Sequence, residues 1–154
     1  MRKNKRKLVL EQMDNKLLVF KNASEVIMPT KGWLNAVRVT INMTLNQLGK
    51  KLKTSAQAIR GLETREASGN ITLNTLKEAA AAMNMKLVYA IVPFDGSLEN
   101  LIEKRAAEIA RQIVLRTSAS MRLEDQENSS ERLKKAVEEK AAEIKEELPK
   151  YLWD

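Results

Sequence analysis

The sequence predicts a mostly α-helical protein: a compact bundle, one short β-strand, and two long helices towards the carboxyl end. Three observations predict it. Aromatic residues make up only 4% of the 154-residue chain against 44% hydrophobic residues, a balance that suits a helical core of Leu, Ile, Val, Ala and Met. Apolar residues recur at intervals of three and four along most of the length. Ser or Thr stands just ahead of several such runs, at Thr44, Ser55 and Thr72, where its oxygen can cap a helix. With 31% charged residues a folded, soluble protein is expected, of one domain or a small domain with extensions.

Met1 to Lys7, MRKNKRK, is a polar basic arm. Leu10, Met13, Leu17 and Phe20 then recur at helical spacing and predict a helix over 8–20, followed by a connector over 22–30 that Pro29 closes. A helix over 32–42 turns Leu34, Val37 and Ile41 inward, with Met43 sealing the next turn and Trp33 read as packing.

Thr44 to Glu63, TLNQLGKKLKTSAQAIRGLE, reads as two short helices joined by a tight turn. Leu45, Leu48 and Leu52 bury one face of the first, and small Gly49 sits where a second helix can cross closely. In the second, Ile59 and Leu62 point inward. That leaves Ser55, Ala56, Gln57, Arg60 and Gly61 outside: two small side chains, a bidentate amide, a guanidinium and a residue with no side chain. Such a face suits the major groove of DNA, where Gln pairs with adenine, Arg with guanine, and small neighbours permit close approach. The plain alternative is a helical hairpin whose polar face meets only water.

Thr64 to Asn70 is expected as a polar loop carrying Arg65. Thr72 caps a helix with Leu73, Leu76, Ala79, Ala80 and Met83 inward. KLVYAIV, over 86–92, combines β-branched and aromatic residues with a closing Pro93, which predicts a strand. One strand cannot satisfy its own backbone, so Leu87, Val88, Tyr89, Ala90 and Ile91 are expected to pair with the same segment of a second subunit or with 17–20 of this one. Asp95, Gly96 and Ser97 make a turn and cap. Leu98, Ile102, Ala106, Ile109 and Ile113 mark one stripe of a long helix, 124–130 is a polar loop, and Leu133, Val137, Ala141, Ile144 and Leu148 mark a last helix that Pro149 ends. Tyr151 and Trp153 either pack on the body or stand out as an anchor; packing is the expectation.

Charge and missing residue types narrow the function. The formal charge is +7, but residues 1–65 hold 14 Lys/Arg and 4 Asp/Glu while residues 66–154 hold 13 and 16. A basic front half carrying the two-helix segment is where a polyanion should bind; the arm would then follow the DNA backbone or enter a minor groove, unless it is a solvated tail. The chain has no Cys and no His, so disulfides, common zinc sites and Ser-His or Cys-His catalysis cannot be assembled; no enzyme, metal or cofactor is expected. An apolar run of about 18 residues is lacking, as is the core of a signal peptide, which predicts a cytoplasmic protein with no membrane contact.

The 44–63 segment resembles the helix-turn-helix of phage-repressor-like (Xre, lambda-repressor-like) regulators, in which a Thr-capped helix with a Leu-small pair precedes a Ser-capped recognition helix ending in Leu-Glu. The resemblance implies that an Arg of the preceding helix pairs with that Glu, and Arg38 and Glu63 hold the matching positions; otherwise both are solvated surface charges. The chain departs from the pattern at Lys53, where the family has Gly, and at Thr54, where it has an apolar residue. A left-handed Lys53 would strain the turn by roughly 1 kcal/mol. With its strand after the bundle, the order of elements resembles the DNA-binding antitoxin of the Hip toxin–antitoxin pair, which implies a homodimer.

Over nearly its whole length the chain is similar to the family called mobile mystery protein A, on LVLEQMDNKL, KGWLNAVR, ITLNTLKEAAAAMNMKLVYAIVP, SMRLEDQ and the LWD ending. That resemblance implies a neighbouring Fic-domain protein and an antitoxin-like regulator. The motif that restrains some Fic enzymes, Ser or Thr, three residues, then Glu followed by Gly or Asn, is not met: Asp95 precedes Glu99-Asn100 and Leu123 precedes Glu127-Asn128. A Fic partner would therefore be met through the acidic carboxyl half or restrained by repression.

The expected organisation is a basic arm and helix over 1–30, a DNA-binding domain with its dimerisation strand over 31–93, and a helical extension over 94–154. The expected function is sequence-specific binding of operator DNA by a homodimeric autorepressor. Its contact set is Thr44, Lys50, Lys53, Thr54, Ser55, Ala56, Gln57, Arg60, Gly61 and Arg65, with Ser55, Gln57 and Arg60 at bases and Lys50, Lys53, Thr54 and Arg65 at phosphates. The alternative is a protein-interaction module that neutralises a partner without touching DNA.

Overall fold

The computed structural model describes residues 2–123 and 129–154. Most of them lie in seven α-helices, and among the described residues there is no β-strand. They form two compact units, one spanning Glu25–Ala90 and the other combining Met1–Ser24 with Ile91–Asp154.

The first unit holds α2 (Gly32–Thr40), α3 (Leu45–Lys51), α4 (Ala56–Ala67) and α5 (Leu73–Ala82). Leu34, Leu48, Ile59, Ala79 and Met83 form its buried core, with Val37, Met43, Leu45, Leu52, Leu62 and Leu76 packed around them. Helix starts are set by side-chain caps: Thr44, Ser55 and Thr72 each accept the backbone N–H three residues on, satisfying donors that no helical carbonyl can reach. Helix ends follow one rule too. Asn42, Lys53, Gly69 and Asn84 all have positive φ, and the amide after each bonds back to the carbonyl five residues before it, the geometry of a Schellman cap.

The second unit holds α1 (Arg2–Leu18), α6 (Leu98–Leu123) and α7 (Ser130–Glu147), closed by a 3₁₀ turn over Lys150–Trp153. Helices α6 and α7 run antiparallel: Lys145, near the end of α7, pairs with Glu99 and Glu103 at the start of α6. Ile102, Ala106, Ala110, Ile144 and Leu152 form the core, and Leu10 of α1 packs against it. Asp14 of α1 accepts the N–H groups of Leu98 at 2.7 Å and Glu99 at 3.2 Å, capping α6 from a neighbouring helix.

Several expectations are corrected. The strand over 86–92 is absent; residues 85–93 run without regular structure, because no second strand among the described residues takes up their backbone groups. The basic arm is helical from Arg2, held where Lys3 pairs with Glu146 at 3.2 Å and Arg6 donates to the Glu147 carbonyl at the end of α7, a position that favours cations. Residues 64–67 continue α4 instead of forming a loop. Leu73 and Ile41 are exposed. In the tail it is Leu152 that is buried, while Tyr151 and Trp153 remain outside, because Arg105 grips the Leu152 and Asp154 carbonyls. The polar loop expected over 124–130 lies outside the described residues as far as 128, and with it Glu127-Asn128.

Candidate nucleic-acid interface

Two carboxylates fix how α4 is turned. Glu63, on its inner side, is 7% exposed and accepts Nε of Arg38 at 2.5 Å, Nη2 of Arg38 at 3.1 Å and the Asn35 amide at 2.8 Å. Arg38 also donates to the Met43 carbonyl at 2.9 Å, which ties the pair to the turn entering α3. Burial by itself raises the Glu63 pKa, but the hydrogen bonds from Arg38 and Asn35 and the charges of Arg38 and Arg60 outweigh it and hold the carboxyl below its ordinary value. One turn further on, Glu66 accepts the N–H groups of Trp33 at 3.0 Å and Leu34 at 2.8 Å. It caps α2, whose own Lys31 supplies no side-chain cap. A Cβ on Gly32 would lie 2.7 Å from that carboxylate, so the glycine makes room for the cap.

The crossing of α3 and α4 depends on Gly49. A Cβ there would stand 2.7 Å from the Thr54 carbonyl oxygen and 3.2 Å from the Ser55 carbonyl carbon, backbone atoms that cannot swing aside. Lys53, at φ +54°, completes the turn with an exposed side chain. Three of the four left-handed helix ends of this unit use Asn or Gly, which tolerate that conformation; Lys53 alone does not.

With Glu63 and Glu66 turned inward, the outward side of the α3–α4 pair carries no carboxylate. Lys50, Lys53, Thr54, Ser55, Gln57, Arg60 and Arg65 are all exposed, as is Thr44. Gln57, Arg60 and Thr64 follow at intervals of three and four, one polar stripe along α4. Ala56 and Gly61 are half-buried, and the Arg65 side chain comes near Gly61, 3.5 Å from where a Cβ would be. The Thr44 and Ser55 hydroxyls accept their cap bonds at 3.2 and 3.1 Å, leaving each hydroxyl proton free to donate outward. The unit carries nine Lys/Arg against four Asp/Glu, and two of those four acids are Glu63 and Glu66.

Of the segment expected to pair between subunits, Leu87 is half-buried beside α2 and α5. Val88, Tyr89, Ala90 and Ile91 are exposed, Ile91 at 88%. Asn35 and Glu66 were missed by sequence reasoning. The signal for Glu66 is its place one turn after Glu63, hidden by ending the helix at Glu63, four residues before Ala67. Among the described residues no cluster of acidic side chains is arranged to hold a metal, and no helix is long and apolar enough to cross a membrane. Comparison with protein-family models, curated proteins and solved structures finds no match to this chain.

Proposed function

We propose that the Glu25–Ala90 unit is a lambda-repressor-like helix-turn-helix domain that binds duplex DNA, with α4 as its recognition helix. One observation carries this: both acids of α4 are drawn inward by Arg38 and by the start of α2, which leaves Gln57 and Arg60 outward between the cations Lys50, Lys53 and Arg65. A surface of that sign, with small residues beside the two base-reading types, suits a groove lined by phosphates. Lys53 adds support, since a strained turn residue kept where glycine would fit is accounted for by a charge needed at that place.

Arg60 is assigned to guanine and Gln57 to adenine, while Lys50, Lys53, Thr54 and Arg65 hold the backbone. In this reading the protein acts as a dimer, and the exposed Val88, Tyr89 and Ile91 favour burial against a second copy. Its biological role is that of an antitoxin-like autorepressor beside a Fic-domain protein, a role that rests on the sequence resemblance. A protein-interaction module without a DNA role is the second reading, favoured by the long α6 and α7, which DNA binding does not require.

Gel retardation with the duplex upstream of the gene tests the reading. The parent chain should shift that duplex in the presence of competitor DNA and lose affinity steeply as salt rises. Arg60→Ala should lose about 1–3 kcal/mol of discrimination at one base pair, whereas Lys50→Ala should weaken all duplexes alike. An Arg60→Ala variant that binds every duplex as the parent does contradicts the assignment.

A further inference from the structure

Beside the contact between α1 and the start of α6 lies a surface of a different kind. Val9 and Met13, four residues apart on one side of the helix, are 52% and 42% exposed. With Leu10, Leu98 and Leu148 they line an open groove of ≈ 540 Å³, and Lys5 and Arg6 stand at its rim. Leu148 reaches this wall from a left-handed backbone, φ +46°, a conformation easier for glycine than for leucine.

The charged residues that line the groove, Lys5 and Arg6, are both basic, while the Asp14 carboxylate beside it is taken up by the Leu98 and Glu99 amides. At the angular step of an α-helix, Lys5, Val9, Met13 and Lys16 fall within a stripe about 80° wide, and the two lysines bracket the apolar pair about 16 Å apart along the axis. The stripe holds no carboxylate. Lys3 is paired with Glu146 and Arg6 is bonded to the Glu147 carbonyl, but among the described residues Lys5 and Lys16 have no acidic partner.

We propose that this groove docks an acidic amphipathic helix of a protein partner: two apolar anchors one turn apart, flanked at both ends by carboxylates. Helix-in-groove binding takes its affinity from such anchors, and Lys5 at the groove with Lys16 further along the same stripe sets the sign of the partner. A second copy of α1 is the wrong occupant, because it would set Lys5 and Lys16 against the same cations. Duplex DNA is wrong as well, since its phosphates would press against Val9 and Met13. The surface is independent of the α3–α4 face, so either can fail without the other.

The test is an NMR titration of the isotope-labelled full chain with three synthetic helical peptides. One carries Leu residues four apart between pairs of Glu; the second has Gln in place of Leu; the third has Lys in place of Glu. The first should saturate, shifting the amide signals around Val9, Met13, Leu98 and Leu148, with the other two binding at least about tenfold more weakly. Val9→Asp with Met13→Asp should weaken the first peptide by a similar factor. Lys5→Glu with Lys16→Glu should reverse the preference towards the Lys-flanked peptide, and because both side chains are exposed that pair reports even where an aspartate disturbs α1. Failure of the acidic peptide to saturate, equal binding of the Leu-free peptide, equal shifts with a DNA duplex, or a sedimenting dimer that covers these residues would each overturn the proposal.

Discussion

Glu63 is a carboxylate that folding moves into a helix crossing, where water is replaced by Arg38, Asn35 and the flank of α2. Its pKa in the folded unit lies below the ordinary 4.5, so the native state binds its proton less readily than the unfolded chain does. The stabilisation is therefore complete above the unfolded value and disappears as pH falls through the folded one. Thermal melts taken from neutral pH to about pH 3 should show that loss, and Glu63→Gln should flatten the acid slope; an unchanged slope would show that other carboxylates carry it. Lys53 gives a second residue-level test. Replacing it with Gly relieves the left-handed backbone and should raise stability by about 1 kcal/mol. On the DNA reading, the same change removes one phosphate contact and lowers the salt slope of binding by about 0.9. Greater stability with undiminished affinity would remove Lys53 from the interface.

Helix α4 illustrates what was legible in the sequence and what was not. Its start was plain, because a Ser ahead of a helical run has one strong use. Its inward Ile59 and outward Gln57 and Arg60 followed from a period of 3.6. Its end was not legible, because Thr64 to Ala67 is polar and reads as loop until Glu66 is seen to be buried as the cap of α2, a partner 32 residues away that no local pattern reveals. The 86–92 stretch failed in the opposite direction. Its β-branched and aromatic residues fit a strand, but a strand is a property of two segments, and composition speaks for one. Gly49 is legible in the sequence as a place of close approach, and its clash distance of 2.7 Å to the Thr54 carbonyl oxygen converts that into a prediction. Gly49→Ala should force α3 and the turn apart and cost about 1–3 kcal/mol in denaturant unfolding. A variant as stable as the parent would mean the turn can shift as a body.

Across the molecule, the contrast between a basic front and a near-neutral back was visible in composition, but the grouping of elements was not. Helix α1 joins α6 and α7 through Asp14 at 2.7 Å from the Leu98 amide, a contact between residues 84 apart in the chain. The basic stretch at the amino end, which looks like an arm for a polyanion, is instead engaged in part by the end of α7. Charge thus serves two purposes: in the Glu25–Ala90 unit it surrounds the α4 stripe, and in the other unit it frames the α1 groove. On the DNA reading, it is the α4 stripe that reads base pairs. Selection of bound duplexes from a randomised pool, run in parallel with the parent chain and a Gln57→Ala, Arg60→Ala double variant, tests it most directly. The parent should enrich a defined sequence, and the variant should lose preference at the positions those two side chains read while retaining salt-dependent affinity. No enriched sequence with the parent, or the same sequence with both proteins, would contradict it.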